Sequence, residues 1–231
     1  MAGRPKAGAR ARELLETADG SLRVTAVRPD PRAPGTVAVY AGRVRLGRLD
    51  TDAAVRLGVK EGRAVDRALA QAMLAEMDRA GARAAALRLL GVKSRSRADL
   101  VRRLRMKGYP AEASEAAADR MAEVGLLDDR RYAEAVAASE LRRKPAGEAL
   151  LSAKLRSKGV AGPVAAEVAK EAREGRDELA DAVEVARRAV RRQPKGIEEE
   201  ALRRRVLGAL ARRGFGGDVS RRALERALRR G

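Results

Sequence analysis

The sequence predicts a mainly α-helical protein, an elongated array of three tandem three-helix repeats preceded by a small N-terminal α+β module. The first observation is a phrase that recurs three times: a leucine-spaced, arginine-rich helix that ends at a basic residue, a glycine and an apolar residue. Its glycines, Gly108, Gly159 and Gly214, lie 51 and 55 residues apart, a period that suits about three short helices. The second observation is that only four aromatic residues are present, which favours short helices packed through Leu, Val and Ala.

The N-terminal part differs from the repeats. Residues 1–20 are basic and rich in Ala and Gly, and we expect a loose arm there. From residue 21, apolar and polar residues alternate between turn-rich segments, which predicts two or three antiparallel strands. A short helix from Thr51 and an Ala-rich helix over about 66–80 follow. Residues 21–80 are therefore predicted to form a module of a β-hairpin and helices.

From residue 81 onward the pattern is helical throughout. We assign residues 81–127 to repeat 1, 128–175 to repeat 2 and 176–231 to repeat 3. The glycine of each phrase is predicted to end its helix in the left-handed conformation, with the next residue making an apolar contact. Nine helices are expected, at about 82–90, 97–107, 111–124, 129–143, 146–158, 163–173, 177–192, 197–213 and 217–229.

The net charge of +19 favours a polyanionic partner. Arginine supplies 42 of the 51 basic residues, a preference that a GC-rich coding sequence would also produce, but such a bias does not explain the excess of bases over acids. Nucleic acid or a nucleoprotein is the predicted partner. The alternative is a solvated basic surface without a nucleic-acid partner.

The chain contains no His and no Cys, which removes the commonest general base, thiol nucleophile and transition-metal ligands. Its acidic clusters lie at predicted helix starts, where they stabilise the helix dipole. We therefore expect no catalytic residue, no metal site and no cofactor, and a protein that is not an enzyme. No apolar run approaches a membrane span and no secretory signal is apparent, so the cytoplasm is the expected location.

Apolar residues four apart in the middle helix of each repeat are predicted to face inward, so the bases between them face outward. Each repeat thus offers a cationic face, and we expect a shared groove along the array. The alternative is three ordinary solvated faces. The candidate residues for binding a filament or nucleic acid are Arg97, Arg102, Arg103, Arg105, Lys107, Arg142, Arg143, Lys144, Lys154, Arg156, Lys158, Arg203 and Arg204.

The chain resembles the bacterial RecX proteins, regulators of the RecA recombinase. The resemblance rests on residues 96–109, on Leu-Leu-Asp-Asp-Arg-Arg-Tyr-Ala at 126–133, and on the Lys-Gly-Val turn at 158–160. It covers about residues 81–228 and implies a fold of three helical units. The N-terminal module is similar to an extension that some members carry.

The resemblance implies a non-enzymatic modulator of recombination, DNA repair and the SOS response. Family members bind the RecA–DNA filament in its helical groove, span neighbouring subunits, and depress ATP hydrolysis, strand exchange and co-protease activity. The implied partners are RecA as a filament and, more weakly, single- and double-stranded DNA, with the protein a monomer. On this hypothesis Arg142, Arg143, Lys144 and Lys154 dock on the filament.

A second hypothesis is a stand-alone DNA-binding protein, architectural or transcriptional, because three-helix units also occur in helix-turn-helix proteins. It predicts tight binding to naked duplex with a steep salt dependence. Association with a membrane surface is a weaker alternative, because the apolar stripes are narrow and lack aromatic anchors.

Overall fold

The computed structural model describes residues 7–194 and 196–229, and these residues form eleven helices and one three-stranded sheet. The predicted class, mainly α with a small N-terminal α+β module, is confirmed. The first elements are α1 (Ala7–Glu16), β1 (Ala26–Pro29), β2 (Thr36–Ala41), β3 (Val44–Asp50), α2 (Thr51–Arg56), α3 (Arg67–Val92), α4 (Arg97–Met106) and α5 (Ala111–Glu123). The remaining helices are α6 (Asp129–Arg143), α7 (Glu148–Ser157), α8 (Gly162–Glu171), α9 (Glu178–Arg191), α10 (Glu199–Arg212) and α11 (Gly217–Leu228).

The chain divides into two compact units. Unit 1 comprises the described residues up to Val92 together with Val101–Val124, and unit 2 comprises Lys93–Leu100 and the described residues from Gly125 onward. The division falls inside α4, so the first turn of that helix is described with unit 2. None of the helices in the described residues combines the length and apolar composition needed to cross a bilayer.

The sheet of unit 1 is an antiparallel meander in the order β1–β2–β3, which confirms the predicted strands. Its alternating pattern directs Val39 and Leu49 into a core where each is fully buried. Leu15 of α1 and Met73 of α3 join them in the same cluster. The module is therefore a sheet covered by two helices.

Helix α1 occupies part of the segment expected to be a loose arm. Ala11 and Leu15 lie four residues apart on α1 and are buried, as is Ala18 just after the helix. Arg12, on the same helix, pairs with Asp78 of α3 at 3.1 Å. The apolar face of α1 packs against the sheet and α3. The local composition of residues 1–20 did not predict this packing. Residues 1–6 of the expected arm lie outside the described residues.

Helix α3 runs unbroken through Gly81, although the sequence predicted two helices separated near that residue. A Cβ at Gly81 would stand 2.9 Å from Cε1 of Tyr109, so the glycine makes room for this ring. A glycine inside a helix costs only about 1 kcal/mol relative to alanine. Packing of α3 against α5 therefore decides the outcome, and Arg79 of α3 adds an ion pair to Glu112 of α5 at 2.6 Å.

Unit 2 contains two consecutive groups of three helices. In the first, α6 and α8 pack around Leu155 of α7 together with Val160 and Val168. In the second, α9, α10 and α11 surround Leu210 and Phe215. Both groups follow the predicted three-helix repeat, with small alanines where the helices approach closely.

The recurring phrase ends its helix in the same way each time. Gly108, Gly159 and Gly214 have φ values of +91°, +86° and +78°, as the sequence predicted. The N–H of the following residue reaches back five residues to a helix carbonyl, the bond of a Schellman cap. These bonds are Tyr109 N to Leu104 O at 3.2 Å, Val160 N to Leu155 O at 3.1 Å, and Phe215 N to Leu210 O at 3.2 Å.

Within unit 2, the turns at Gly159 and Gly214 also pack against the N-terminus of an earlier helix. The fully buried Ser96 Oγ accepts a bond from Asp99 N–H at 3.2 Å and donates to Lys158 O at 2.6 Å. In the same way, the N–H of Gly147, which caps α7, donates to Arg213 O at 2.8 Å. The phrase predicted as a helix stop therefore also joins elements distant in sequence.

Candidate nucleic-acid interface

Eight of the thirteen candidate cations are exposed and make no ion pair with any described residue. They are Arg105, Lys107, Arg142, Arg143, Lys144, Arg156, Lys158 and Arg204. The first two belong to unit 1 and the other six to unit 2. The predicted inward leucines of the middle helices are 0% or 1% exposed, which explains why the bases between them face outward. Arg97, Arg102 and Arg103 interact with neighbouring groups.

Among the described residues, Arg203 and Lys154 also form ion pairs. Arg203 pairs at 2.8 Å with Glu199, four residues earlier on an exposed helix surface. Such a pair contributes only about 0.3–0.5 kcal/mol, so a competing anion displaces it easily. Lys154 Nζ pairs with Glu140, whose side chain is only 11% exposed. This second pair is harder to open, and Lys154 is a weaker candidate than the sequence suggested.

Glu140 connects elements from both three-helix groups of unit 2. The hydrogen bond from Lys154 holds the pKa of the Glu140 carboxyl below its ordinary value of 4.5, and the charge of Arg213 adds to the effect. Arg213 Nη1 lies 3.4 Å from Glu140 Oε1. The same guanidinium donates through Nε to Pro145 O at 2.8 Å and through Nη2 to Lys144 O at 2.9 Å. Arg213 is therefore a structural residue that fixes the loop after α6.

A pocket of about 260 Å³ lies where this loop meets α9 and α10. Residues 185, 188, 189 and 192 contribute to it from one face of α9, as their spacing requires. Four apolar residues line the pocket: Pro145, Val185, Ala189 and Ala209. Five cations complete the lining: Lys144, Arg188, Arg192, Arg212 and Arg213.

The charge of this pocket, which we call the basic pocket, is only partly compensated. No carboxylate lines it. Arg188 pairs with Glu184 at 2.5 Å, and Arg213 with Glu140. Across the described ranges, no carboxylate lies within ion-pair distance of the other three cations, Lys144, Arg192 and Arg212. Like charges held around a concave surface favour an anion.

A second pocket, of about 490 Å³, has a different character. It lies along α6 and α8, and Arg142 and Arg176 line it together with Glu134 and Glu171. Equal numbers of opposite charges give it no preference for an anion. Nowhere in 7–194 or 196–229 do three Asp or Glu side chains cluster as a metal site would require.

Comparison with known proteins identifies the helical part of the chain. Models of the first, second and third three-helix domains of RecX match residues 82–121, 128–168 and 176–224. The regulatory protein RecX of Pelodictyon phaeoclathratiforme is 38% identical over 138 residues, which are 58% of this chain and 81% of that protein. The chain belongs to the RecX family. The regulatory protein RecX of Mycobacterium avium, another member, is 38% identical over 141 residues, 60% of this chain and 80% of its own.

Solved RecX structures share the fold. A crystal structure of regulatory protein RecX superposes with a TM-score of 0.66 at 19% identity, over 87% of this chain and 97% of that one. RecX from Lactobacillus salivarius gives a TM-score of 0.57 at 18% identity, over 65% and 97% of the two chains. This likeness concerns the fold alone. Both solved RecX chains align with this chain over nearly their whole length.

The candidate set omitted two cations that the fold brings to Lys144. Arg192 and Arg212 lie at the ends of α9 and α10, and only the packing of these helices beside the loop after α6 brings the three together. A local signal existed, because Arg192 and Arg212 have no acidic residue four positions earlier, unlike Arg188 and Arg203.

Proposed function

We propose that the chain is a regulator of the RecA recombinase that binds the RecA–DNA filament in its groove. Its binding depresses ATP hydrolysis, strand exchange and co-protease activity, and so modulates recombinational repair and the SOS response. Membership of the RecX family carries this proposal, together with the excess of exposed cations. On this proposal the chain inhibits the filament by occupying it, a role that requires no catalytic residue.

The best-supported contact surface for the filament consists of Arg142, Arg143 and Lys144. The three are consecutive, exposed and without ion pairs among the described residues, and Lys144 enters the basic pocket. Their charge is therefore available to phosphate or carboxylate groups of a partner. We leave out Lys154, because Glu140 already holds it.

Charge reversal tests this surface. The triple variant Arg142→Glu, Arg143→Glu, Lys144→Glu changes the local charge by six units without touching the core. The concentration that half-inhibits ATP hydrolysis by RecA on single-stranded DNA should rise about tenfold or more, because charges at the edge of an interface govern encounter and orientation. The far-ultraviolet circular dichroism and the melting temperature should stay close to those of the unmodified chain.

A matched control separates this surface from net charge. The variant Arg221→Glu, Arg222→Glu, Arg226→Glu makes the same change on exposed positions of α11. It should inhibit RecA nearly as well as the unmodified chain. Equal weakening by both triples would mean that only the total charge matters. Undiminished inhibition by the first triple variant would show that Arg142, Arg143 and Lys144 do not contact the filament.

The second candidate function is stand-alone binding to DNA, favoured by the net charge of +19 and by the uncompensated cations of the basic pocket. It predicts tight binding to naked duplex, with a logarithmic salt slope of about 0.9 for each phosphate contacted. A sequence-specific footprint without RecA would favour it. Filament binding at concentrations that leave duplex free would exclude it.

A further inference from the structure

We propose that the basic pocket holds a backbone phosphate of a nucleic-acid strand, bound by Lys144, Arg192 and Arg212. The inference deepens the proposed function and rests on it for the source of the strand, which is the RecA–DNA filament. Its test uses the chain without RecA, so the two proposals can fail separately. The observation that carries it is a concave site with three uncompensated cations and no acidic lining.

The chemistry of the lining suits a phosphodiester. Two arginines can each direct a planar fork of N–H donors to the non-bridging oxygens, and the lysine adds a compact charge. The apolar lining of Pro145, Val185, Ala189 and Ala209 lowers the local dielectric, which strengthens these interactions relative to an open surface. A bound phosphate would also relieve the repulsion among the cations.

Hydrogen bonds to backbone carbonyls do not occupy these cations. Basic residues are common at helix C-termini, where they compensate the dipole and can bond the last carbonyls. Arg213 bonds the carbonyl of Lys144, the C-cap residue of α6, and that of Pro145 in the following loop. Within the described chain the side chains of Lys144, Arg192 and Arg212 make no comparable bond to a carbonyl. Their charged groups are therefore available to a ligand.

The surroundings favour a strand over a free phosphate. Arg142 and Arg143 directly precede Lys144 and are exposed without carboxylate partners among the described residues. A strand that places one phosphate in the pocket therefore meets further cations as it leaves. A free phosphate would use the pocket alone and would gain nothing from these neighbours.

The test compares Arg192→Gln, Arg212→Gln with the control Arg221→Gln, Arg222→Gln, which removes equal charge from exposed positions of α11. Binding of a fluorescent oligothymidylate is measured by anisotropy at several salt concentrations. The pocket variant should bind about tenfold more weakly, and its logarithmic salt slope should fall by about 0.7, the value for one single-strand phosphate contact. Lys144→Gln, a single change in a loop, should act in the same direction and replaces the double variant if that variant unfolds.

Two outcomes would overturn the proposal. The first is a loss in the pocket variant no larger than in the control, with an unchanged salt slope. The second concerns inorganic pyrophosphate, added as a competitor of the oligonucleotide. If it displaces the oligonucleotide from the unmodified chain at concentrations far below that of the strand phosphates, the pocket prefers the free compound. The site would then belong to a free phosphate compound. Inhibition of RecA by the unmodified chain is measured separately and tests the proposed function alone.

Discussion

Gly147→Ala should destabilise unit 2 by pushing the terminal turn of α10 away from α7. Gly147 caps α7 with φ −77° and ψ 165°, a backbone conformation that alanine adopts without strain. A Cβ there would stand 2.9 Å from Phe215 N and closer still to the Gly214 carbonyl. Both neighbours are backbone atoms of a capped turn, so neither can rotate away as a flexible side chain would.

The magnitude follows from two effects. Alanine is a poorer N-cap than glycine, by about 0.5–1 kcal/mol. Overpacking against backbone adds about 1–3 kcal/mol, because the turn must shift and its bond from Gly147 N–H to Arg213 O lengthens. The free energy of unfolding should therefore fall by about 1.5–4 kcal/mol.

Gly216→Ala is the matched control. Gly216 caps α11 with φ −63° and ψ 157°, nearly the conformation of Gly147, but a Cβ at this position would have no neighbour within 4 Å. It should lose only the capping difference of about 0.5–1 kcal/mol. The comparison therefore isolates the steric effect from the change of capping residue.

Calorimetry or circular dichroism at matched concentration measures both variants. At about 3 °C for each kcal/mol in a chain of this size, Gly147→Ala should lower the melting temperature by about 5–12 °C and Gly216→Ala by about 1.5–3 °C. Equal shifts in the two variants would refute the inferred docking of the turn on α7. An unchanged melting temperature for Gly147→Ala would do the same.

Three further predictions concern other contacts. Ser96→Ala removes a buried cap and its bond to the Lys158 carbonyl, so urea denaturation should show a loss of about 2–3 kcal/mol, whereas the exposed Ser157→Ala should lose less than about 0.5 kcal/mol. Because the folded-state pKa of Glu140 is lowered, its contribution is present above the ordinary pKa of 4.5 and is lost as pH falls through the lower folded value. Glu140→Gln should therefore weaken the neutral-pH fold by about 1–2 kcal/mol and flatten the stability profile below that pH; an unaltered acid profile would contradict this. Gly91→Ala should stabilise α3 by about 0.5–1 kcal/mol in thermal unfolding, but Gly81→Ala should not, because a tyrosine ring fills its space; equal gains would exclude that contact.

The recurring phrase could be predicted because its signals are local. A basic residue, a glycine and an apolar residue specify a left-handed helix end, and leucines four apart specify the buried face. Gly108, Gly159 and Gly214 and the buried leucines behave accordingly. The docking of the turns could not be predicted, because Ser96 and Lys158, or Gly147 and Arg213, are far apart in sequence.

Helix α1 and the continuity of α3 escaped prediction for the same reason. The apolar face of α1 that includes Leu15 is short and is stabilised only by packing against the sheet. The glycine at position 81 within α3 leaves space for the ring of Tyr109. In the candidate interface, sequence periodicity predicted which bases face outward. It did not reveal that Glu140 engages Lys154, nor that the packing of three segments forms the basic pocket.

The central proposal is that the filament, rather than free DNA, is the target. The most direct measurement titrates the purified chain into RecA that is hydrolysing ATP on single-stranded DNA, beside its binding to the bare strand at the same salt. We predict inhibition well below the concentration that coats the bare strand. Inhibition that appears only as the bare strand saturates would mean competition for DNA and would contradict the proposal.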